Sequence, residues 1–288
     1  MLKYRIIYGT LLILVFLALI IGGGQLDGSL TSDPDDDHPV RGLIVSIMAI
    51  GMISAASVEL TRLASYKKVR VLTFTTAVSS SLLALSWFLF QFEWFDASLY
   101  LALIPALTLL LMFLLHYRKY GYQDILINCG VSCLAVFYLG FMAAFCVGIR
   151  VDFGMWPFLM YVLVVKAADI GAYTAGKALG KHKFSPVISP GKTWEGMAGA
   201  AAVSVIVSVG FSQLYDIMGL WSALLFGICF SFIGQLGDLT ESLIKRDADQ
   251  KDSSRTVPGF GGVLDILDSP LAAAPFVYLF FRIAVLEH

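Results

Sequence analysis

The sequence predicts an all-α fold, a polytopic integral membrane helical bundle of about nine transmembrane helices. Three observations carry that prediction. Of 288 residues, 58% are hydrophobic and only 14% charged, with a mean hydropathy of +0.80, whereas a soluble domain carries about 25% charged residues. Apolar runs of about 20 residues, the length that crosses ~30 Å of hydrocarbon, recur along the chain. Basic residues gather in every second connection, as cytoplasmic loops of membrane proteins retain Lys and Arg.

The candidate spans are 5–24, 40–60, 71–92, 97–115, 125–148, 156–176, 196–215, 219–240 and 264–285. No long soluble domain fits between them and no internal repeat is visible. The chain therefore reads as one integral membrane unit, with five N-terminal spans in 1–150 and a C-terminal region, 151–288, that carries the chemistry. Lys3 and Arg5 before the first run would suit a signal peptide. No small-x-small cleavage site precedes Gly22-Gly23-Gly24, however, and further spans follow, so an uncleaved first helix is expected.

The connections alternate in charge. Lys3 and Arg5 precede span one; the next connection is acidic (Asp27, Asp33, Asp35, Asp36, Asp37) with only Arg41. Arg62, Lys67, Lys68 and Arg70 follow span two, then Glu93 and Asp96, then Arg118 and Lys119, then Arg150 with Asp152. Lys177, Lys181, Lys183 and Lys192 follow span six, Asp216 span seven, and Lys245, Arg246, Lys251 and Arg255 span eight. This places the N-terminus and the basic loops in the cytoplasm and the C-terminus outside. The acidic 33–37 run reads as a solvated turn. Cys129, Cys133, Cys146 and Cys229 all fall inside apolar runs and read as small buried hydrophobes.

Two connections carry more than the charge rule asks for. In the first, Lys166 and Asp169 sit near hydrocarbon depth, where each charge costs a few kcal/mol unless paired or wet. Their i, i+3 spacing fits either a mutual ion pair or a functional acid, and Tyr173 lies one turn on. Gly171 to Ala178 and Ser189 to Thr193 resemble phosphate loops, but the first lacks the Ser/Thr, the second lacks the first Gly, and neither follows a predicted strand. A P-loop nucleotidase is rejected. Ser189-Pro190-Gly191-Lys192-Thr193 still suits anion binding: Pro190 can open a helix whose free N–H groups and dipole attract an anion, with Lys192 and Thr193 adding charge and hydroxyl. A plain interfacial cap with a snorkelling lysine is the competing reading.

The second connection is richer. If span eight continues as helix, Asp238, Glu241, Ser242 and Lys245 share one face at i, i+3, i+4 and i+7. Carboxylates and hydroxyls are the hard oxygen donors that Mg²⁺ accepts, usually beside substrate phosphates. Lys245 and Arg246 suit phosphate oxygens. Pro258-Gly259-Phe260-Gly261-Gly262 lets backbone approach a ligand, and Asp265 and Asp268 follow at i and i+3, so that acids from two helices converge. Helix-capping acids in a solvated loop would be the ordinary alternative. Such a site at one rim suits phosphoryl or nucleotidyl transfer to a lipid. An ion-coupled transporter would place its acids at a midplane between broken helices instead.

These residues resemble the CTP:phosphatidate cytidylyltransferases (CDP-diacylglycerol synthases). The family pattern Ser-x-x-Lys-Arg, Lys-Asp and Pro-Gly-His-Gly-Gly-x-x-Asp-Arg-x-Asp is matched by Ser242, Lys245, Arg246, Lys251, Asp252, Pro258, Gly259, Gly261, Gly262, Asp265 and Asp268. An upstream block matches Asp169, Gly171, Ala172, Tyr173, then Ser189, Pro190, Lys192, Thr193, Glu195 and Gly196. Phe260 and Ile266 replace the family His and Arg. The match is specific over about 169–275; before residue 150 it rests on hydrophobicity and helix count.

The resemblance implies transfer of the cytidylyl group of CTP to phosphatidic acid, giving CDP-diacylglycerol and pyrophosphate for phospholipid biosynthesis. It implies Mg²⁺, with a second cation left open, at Asp238 and Asp265, and by the helix-face reading also at Glu241 and Asp268. Asp238, Asp265, Lys245 and Arg246 are the catalytic expectation. Asp169, Tyr173, Ser189, Lys192, Thr193, Glu195, Ser242, Lys251, Gly259, Gly261 and Gly262 are the substrate-binding expectation. Expected partners are CTP, phosphatidic acid and membrane lipid, with a homodimer open and no nucleic acid. The expected place is a bacterial inner membrane with the site facing the cytoplasm. A CTP-dependent kinase or cytidylyltransferase of another lipid, isoprenoid or archaeal-type, is the nearest alternative.

Overall fold

A computed structural model describes residues 2–29, 40–94, 96–254, 256–257 and 261–284, residues 2–8 by backbone alone. The whole acidic 33–37 run, and Pro258, Gly259 and Phe260, lie outside the described residues. In chain order the helices are α1 (Leu2–Leu26), α2 (Leu43–Tyr66), α3 (Thr73–Ala84), α4 (Ser86–Phe90), α5 (Ala97–Tyr120), α6 (Ile125–Val136), α7 (Met142–Asp152) and α8 (Met155–Leu179). A short hairpin, β1 (Lys183–Ser185) and β2 (Ser189–Thr193), precedes α9 (Trp194–Tyr215), α10 (Leu220–Asp247) and α11 (Leu264–Ala284).

Among the described residues, eight helical stretches are long and apolar enough to cross a membrane, with α6 and α7 joined through a π-helical turn, Phe137–Phe141, into one. Single π turns inside α-helices are rare and tend to mark functional places. The chain is a polytopic membrane protein. The expected third span, 71–92, differs: it is two pieces of 12 and 5 residues, α3 and α4. Leu85, at φ −77° and ψ −5°, interrupts the helical ladder between them. The apolar composition that predicted a span is real, but it supports a broken helix.

A second difference concerns Pro190. It does not open a helix; it lies in β2, which pairs antiparallel with β1 through Lys183–Thr193 and Ser185–Ser189. A two-stranded hairpin has only edge strands, where Pro is tolerated. Helix α9 starts one turn later because Thr193 is the better cap: its hydroxyl accepts the Gly196 N–H at 3.1 Å.

The main core gathers α7, α8, α10 and α11, with Tyr161, Phe226, Phe230 and Phe281 almost wholly buried. Helices α8 and α9 pack closely: a Cβ on Gly171 would stand only 2.5 Å from the Gly199 carbonyl oxygen. Outside the core, α1 and α5 expose rows of leucine, including Leu11, Leu14, Leu107 and Leu110, as lipid-facing helices do. The four cysteines are free; Cys129 is buried and the other three are partly so.

The candidate active site

Helix α10 has 28 residues, about 42 Å at 1.5 Å per residue, longer than the ~30 Å hydrocarbon core. Its final turns therefore have room to project past the apolar layer, and there Asp238, Glu241 and Lys245 sit on one face. Helix α11 brings Asp265 and Asp268 against that face, α8 brings Lys166 and Asp169, and β2 brings Lys192.

The acids split into two groups. Asp238, Glu241 and Asp268 each offer a carboxylate oxygen within 4.8 Å of the others. Glu241 is fully buried; its Oε2 meets the Lys245 ammonium, while its Oε1 has no hydrogen-bond partner among the described residues. A buried carboxylate oxygen without a donor is costly, and hard oxygen atoms grouped this tightly fit a cation such as Mg²⁺. Asp265 is placed otherwise. Its Oδ1 accepts Lys245 Nζ at 2.5 Å, and its Oδ2 accepts the Ser253 hydroxyl at 2.7 Å and the Gly262 N–H at 2.6 Å. Protein donors thus satisfy Asp265, and the three-oxygen group forms without it.

The lysines are held by the acids. Lys192 lies 2.9 Å from Asp238 and donates to the Gln235 carbonyl at 2.7 Å. Lys166 lies 3.6 Å from Asp169 and 3.9 Å from Asp268, so the i, i+3 pair exists and also reaches the acid group. Gln235 Nε2 donates to Asp169 Oδ1 at 2.9 Å. Five carboxylates thus face three ammonium groups, a surplus of negative charge that suits an added divalent cation.

Beside them lies a cavity of about 370 Å³, lined by Asp169, Tyr173, Ser189, Lys192, Thr193, Asp238, Asp265 and Asp268 among others. Eight residues expected from the sequence therefore meet at one place. Others do not line it. Glu195 turns away, accepting the Lys181 and His182 N–H groups at 3.1 and 3.2 Å and meeting His182 Nδ1 at 2.6 Å. Arg246 is exposed and donates to the Ile188 and Gln250 carbonyls at 3.2 and 3.1 Å. Lys251 is exposed, and Ser242 is half-buried away from the cavity. Gly261 takes φ +101°, a conformation suited to glycine, and Gly262 supplies the N–H to Asp265. Gly259 lies outside the described residues.

Three features escaped the sequence. Gln235 joins Asp169 to Lys192 but stands in an apolar run without a motif. Tyr138, from the π-helical turn, has a buried hydroxyl with no hydrogen-bond partner among the described residues and lies in the field of Asp268, Glu241 and Asp238. Glu59, on α2, is 4% exposed. An acid within an apolar helix was the available signal for Glu59.

The arrangement defines a class: a membrane protein with a site of hard acids and lysines, chemistry suited to phosphates, at one end of a helical bundle. Residues 3–284 match the cytidylyltransferase family. The chain belongs to that family. It is 32% identical over 283 residues to the phosphatidate cytidylyltransferase of Bacillus subtilis, covering 96% of each chain. It is 40% identical over 153 residues to that of Brucella suis, 52% of this chain and 57% of the relative. With the enzyme of Haemophilus influenzae it shares 42% over 133 residues, 44% of this chain and 46% of the relative.

Proposed function

We infer that the chain transfers the cytidylyl group of CTP to phosphatidic acid, forming CDP-diacylglycerol for phospholipid synthesis. The observation that carries this reading is homology to a phosphatidate cytidylyltransferase over 96% of both chains; the site's chemistry agrees with it. An oxygen of the lipid phosphate forms a bond to the α-phosphorus of CTP. The bond from that phosphorus to the bridging oxygen breaks, and pyrophosphate leaves with the electron pair. A phosphomonoester dianion is already nucleophilic, so no general base is assigned.

Asp238, Glu241 and Asp268 would hold Mg²⁺, which when bound neutralises charge on the triphosphate. Lys192 lines the cavity and exchanges its contact with Asp238 for a phosphate oxygen. Lys245 bridges Glu241 and Asp265, offsetting their mutual repulsion and orienting both. The Thr193 hydroxyl oxygen accepts the Gly196 N–H of the α9 cap, and its own proton can still be donated to substrate, beside Ser189 and the hairpin backbone. Lipid reaches the cavity from the apolar flank, since Tyr173 is both exposed and cavity-lining. The basic connections support a cytoplasmic orientation of this end of the bundle, where CTP is available, and the bacterial relatives favour the inner membrane. All side chains used come from one copy of the chain.

The test uses purified chain reconstituted in lipid with phosphatidic acid and CTP labelled at either the α- or the γ-phosphate. Mg²⁺-dependent transfer of the α-label to lipid with release of pyrophosphate is expected. Transfer of the γ-label would mean a lipid kinase, and no transfer of either would sink the reading.

A further inference from the structure

Glu59 is distant in sequence from everything the reaction uses, yet it holds the segment that leads into α11. Its Oε1 accepts the Ser254 hydroxyl at 2.6 Å, the Thr256 hydroxyl at 3.1 Å and the Val263 N–H at 3.0 Å. Its Oε2 accepts the Ser253 hydroxyl at 3.1 Å and the Leu264 N–H at 2.9 Å. Four uncharged donors thus converge on one buried carboxylate, and the single Ser253 proton is shared between it and Asp265; all come from residues 194 to 205 positions further along the chain.

Two of those donors open α11. The first N–H groups of a helix have no partner within it, and negative charge there is favourable. Glu59 therefore caps α11 from another helix. The Ser253 hydroxyl lies between two acids, 3.1 Å from Glu59 Oε2 and 2.7 Å from Asp265 Oδ2. Gly262 leaves no slack in this arrangement, because a Cβ there would overlap both the Ser253 hydroxyl and Glu59 Oε2. From Asp265 the contacts continue to Lys245 and thence to Glu241. Glu59 itself does not line the cavity.

We propose that Glu59 is a positioning residue for the transfer reaction, fixing Ser253, Ser254, Thr256, Val263 and Leu264 so that Asp265, Lys245 and the first turn of α11 are held where the cavity needs them. This rests on the site reading given above. It follows that Glu59 acts on turnover through Ser253 and Asp265 and not by touching CTP or lipid. A residue that only stabilised the fold would instead change how much protein is folded, leaving turnover per folded molecule alone.

The experiment compares full-length, lipid-reconstituted wild type with Glu59→Gln, Ser254→Ala, Ser253→Ala and the Glu59→Gln/Ser253→Ala double variant. Each is assayed for melting, amide hydrogen exchange, and kcat and KM for CTP per folded molecule. Glu59→Gln keeps the shape but turns an amide toward donors. Its kcat is expected to fall roughly 10- to 100-fold, the scale of a sub-ångström to ångström misplacement, with KM for CTP changed less than about three-fold. Exchange should quicken in 253–264 and stay unchanged in α9. The double variant should be little worse than Glu59→Gln, because coupled residues are not additive. Ser254→Ala removes the shortest bond while sparing every Asp265 partner; it should shift kcat and exchange the same way, less strongly, and it decides the matter if Glu59→Gln does not fold. Wild-type kcat in both Glu59→Gln and Ser254→Ala, or a loss explained wholly by the folded fraction, overturns the proposal. If the wild type transfers no label, the activity reading fails, while quickened exchange confined to 253–264 still identifies the clamp and its absence rejects it.

Discussion

At the scale of single residues, the acid group is built against stability. Asp268 is 4% exposed and shares its surroundings with Asp238 and Glu241, so like charges crowd a poorly hydrated place. Asp268→Asn should therefore leave the melting temperature unchanged or raised, while kcat falls about 10²- to 10³-fold. Joint loss of fold and activity would show instead that Asp268 is structural. Lys245 answers differently. Buried between Glu241 and Asp265, it balances both, and Lys245→Met would strand two acids at a cost of about 3–5 kcal/mol, visible as a lower melting temperature in detergent. Among the described residues Arg246 bonds only backbone carbonyls, from an exposed position, so Arg246→Met should shift stability by less than about 1 kcal/mol. Any effect of Arg246 on substrate would then stand alone in KM for CTP. Asp238, Asp265 and Asp268 were legible because acids at helical spacing in an apolar chain are conspicuous. Their division was not, since nothing in spacing says that Ser253 and Gly262 take up Asp265. Glu59 showed in the sequence only as an acid in an apolar run; its role was not legible because its partners lie some two hundred residues away.

At the scale of elements, the sequence reads well where hydrophobicity decides and poorly where backbone geometry does. The long helix α10 and its one-sided charges follow directly from a run without a breaker. The interruption at Leu85 and the strand at Pro190 do not, because Leu is a good helix former and Pro fits either a first helical turn or an edge strand. The α8–α9 seam shows what the glycines contribute. A side chain at Gly171 would collide with the α9 backbone, whereas nothing lies within 4 Å of a Cβ at Gly210 on the same helix pair. Gly171→Leu should force the helices apart, cost about 1–3 kcal/mol or more, and lower activity by moving Asp169, two residues away. Gly210→Ala should be neutral or slightly stabilising, within about 1 kcal/mol. Equal melting temperatures for both variants would show that the seam yields and does not position the site.

At the scale of the whole molecule, the two ends of the bundle are stabilised separately. The site end is tied by Glu59, by Lys67 with Asp249 at 3.3 Å, and by Arg246 to the turn before β2. The opposite end is tied by Asp27, whose Oδ2 accepts Arg150 Nη2 at 2.6 Å and the Gly42 N–H at 3.2 Å, both charged side chains being almost fully buried. Asp169 lies 14 residues along α8 from Met155, which follows the Arg150 turn, about 21 Å away at 1.5 Å per residue. Burial alone would raise the Asp27 carboxyl, but the Ser29 hydroxyl and the Arg150 guanidinium outweigh it and hold the group below the usual carboxylate range. A carboxyl lowered by folding contributes its full stability above the unfolded pKa and loses it as pH falls through the folded one. Wild-type melting should therefore decline across that acid window. Asp27→Asn should start lower at neutral pH, by about 3–5 kcal/mol for an Arg left unpaired, and lack that part of the decline. Its kcat per folded molecule at neutral pH should equal the wild type's, because the change lies at the far end of α8. A fall in kcat without a fall in melting temperature would mean instead that the two ends are coupled through that helix.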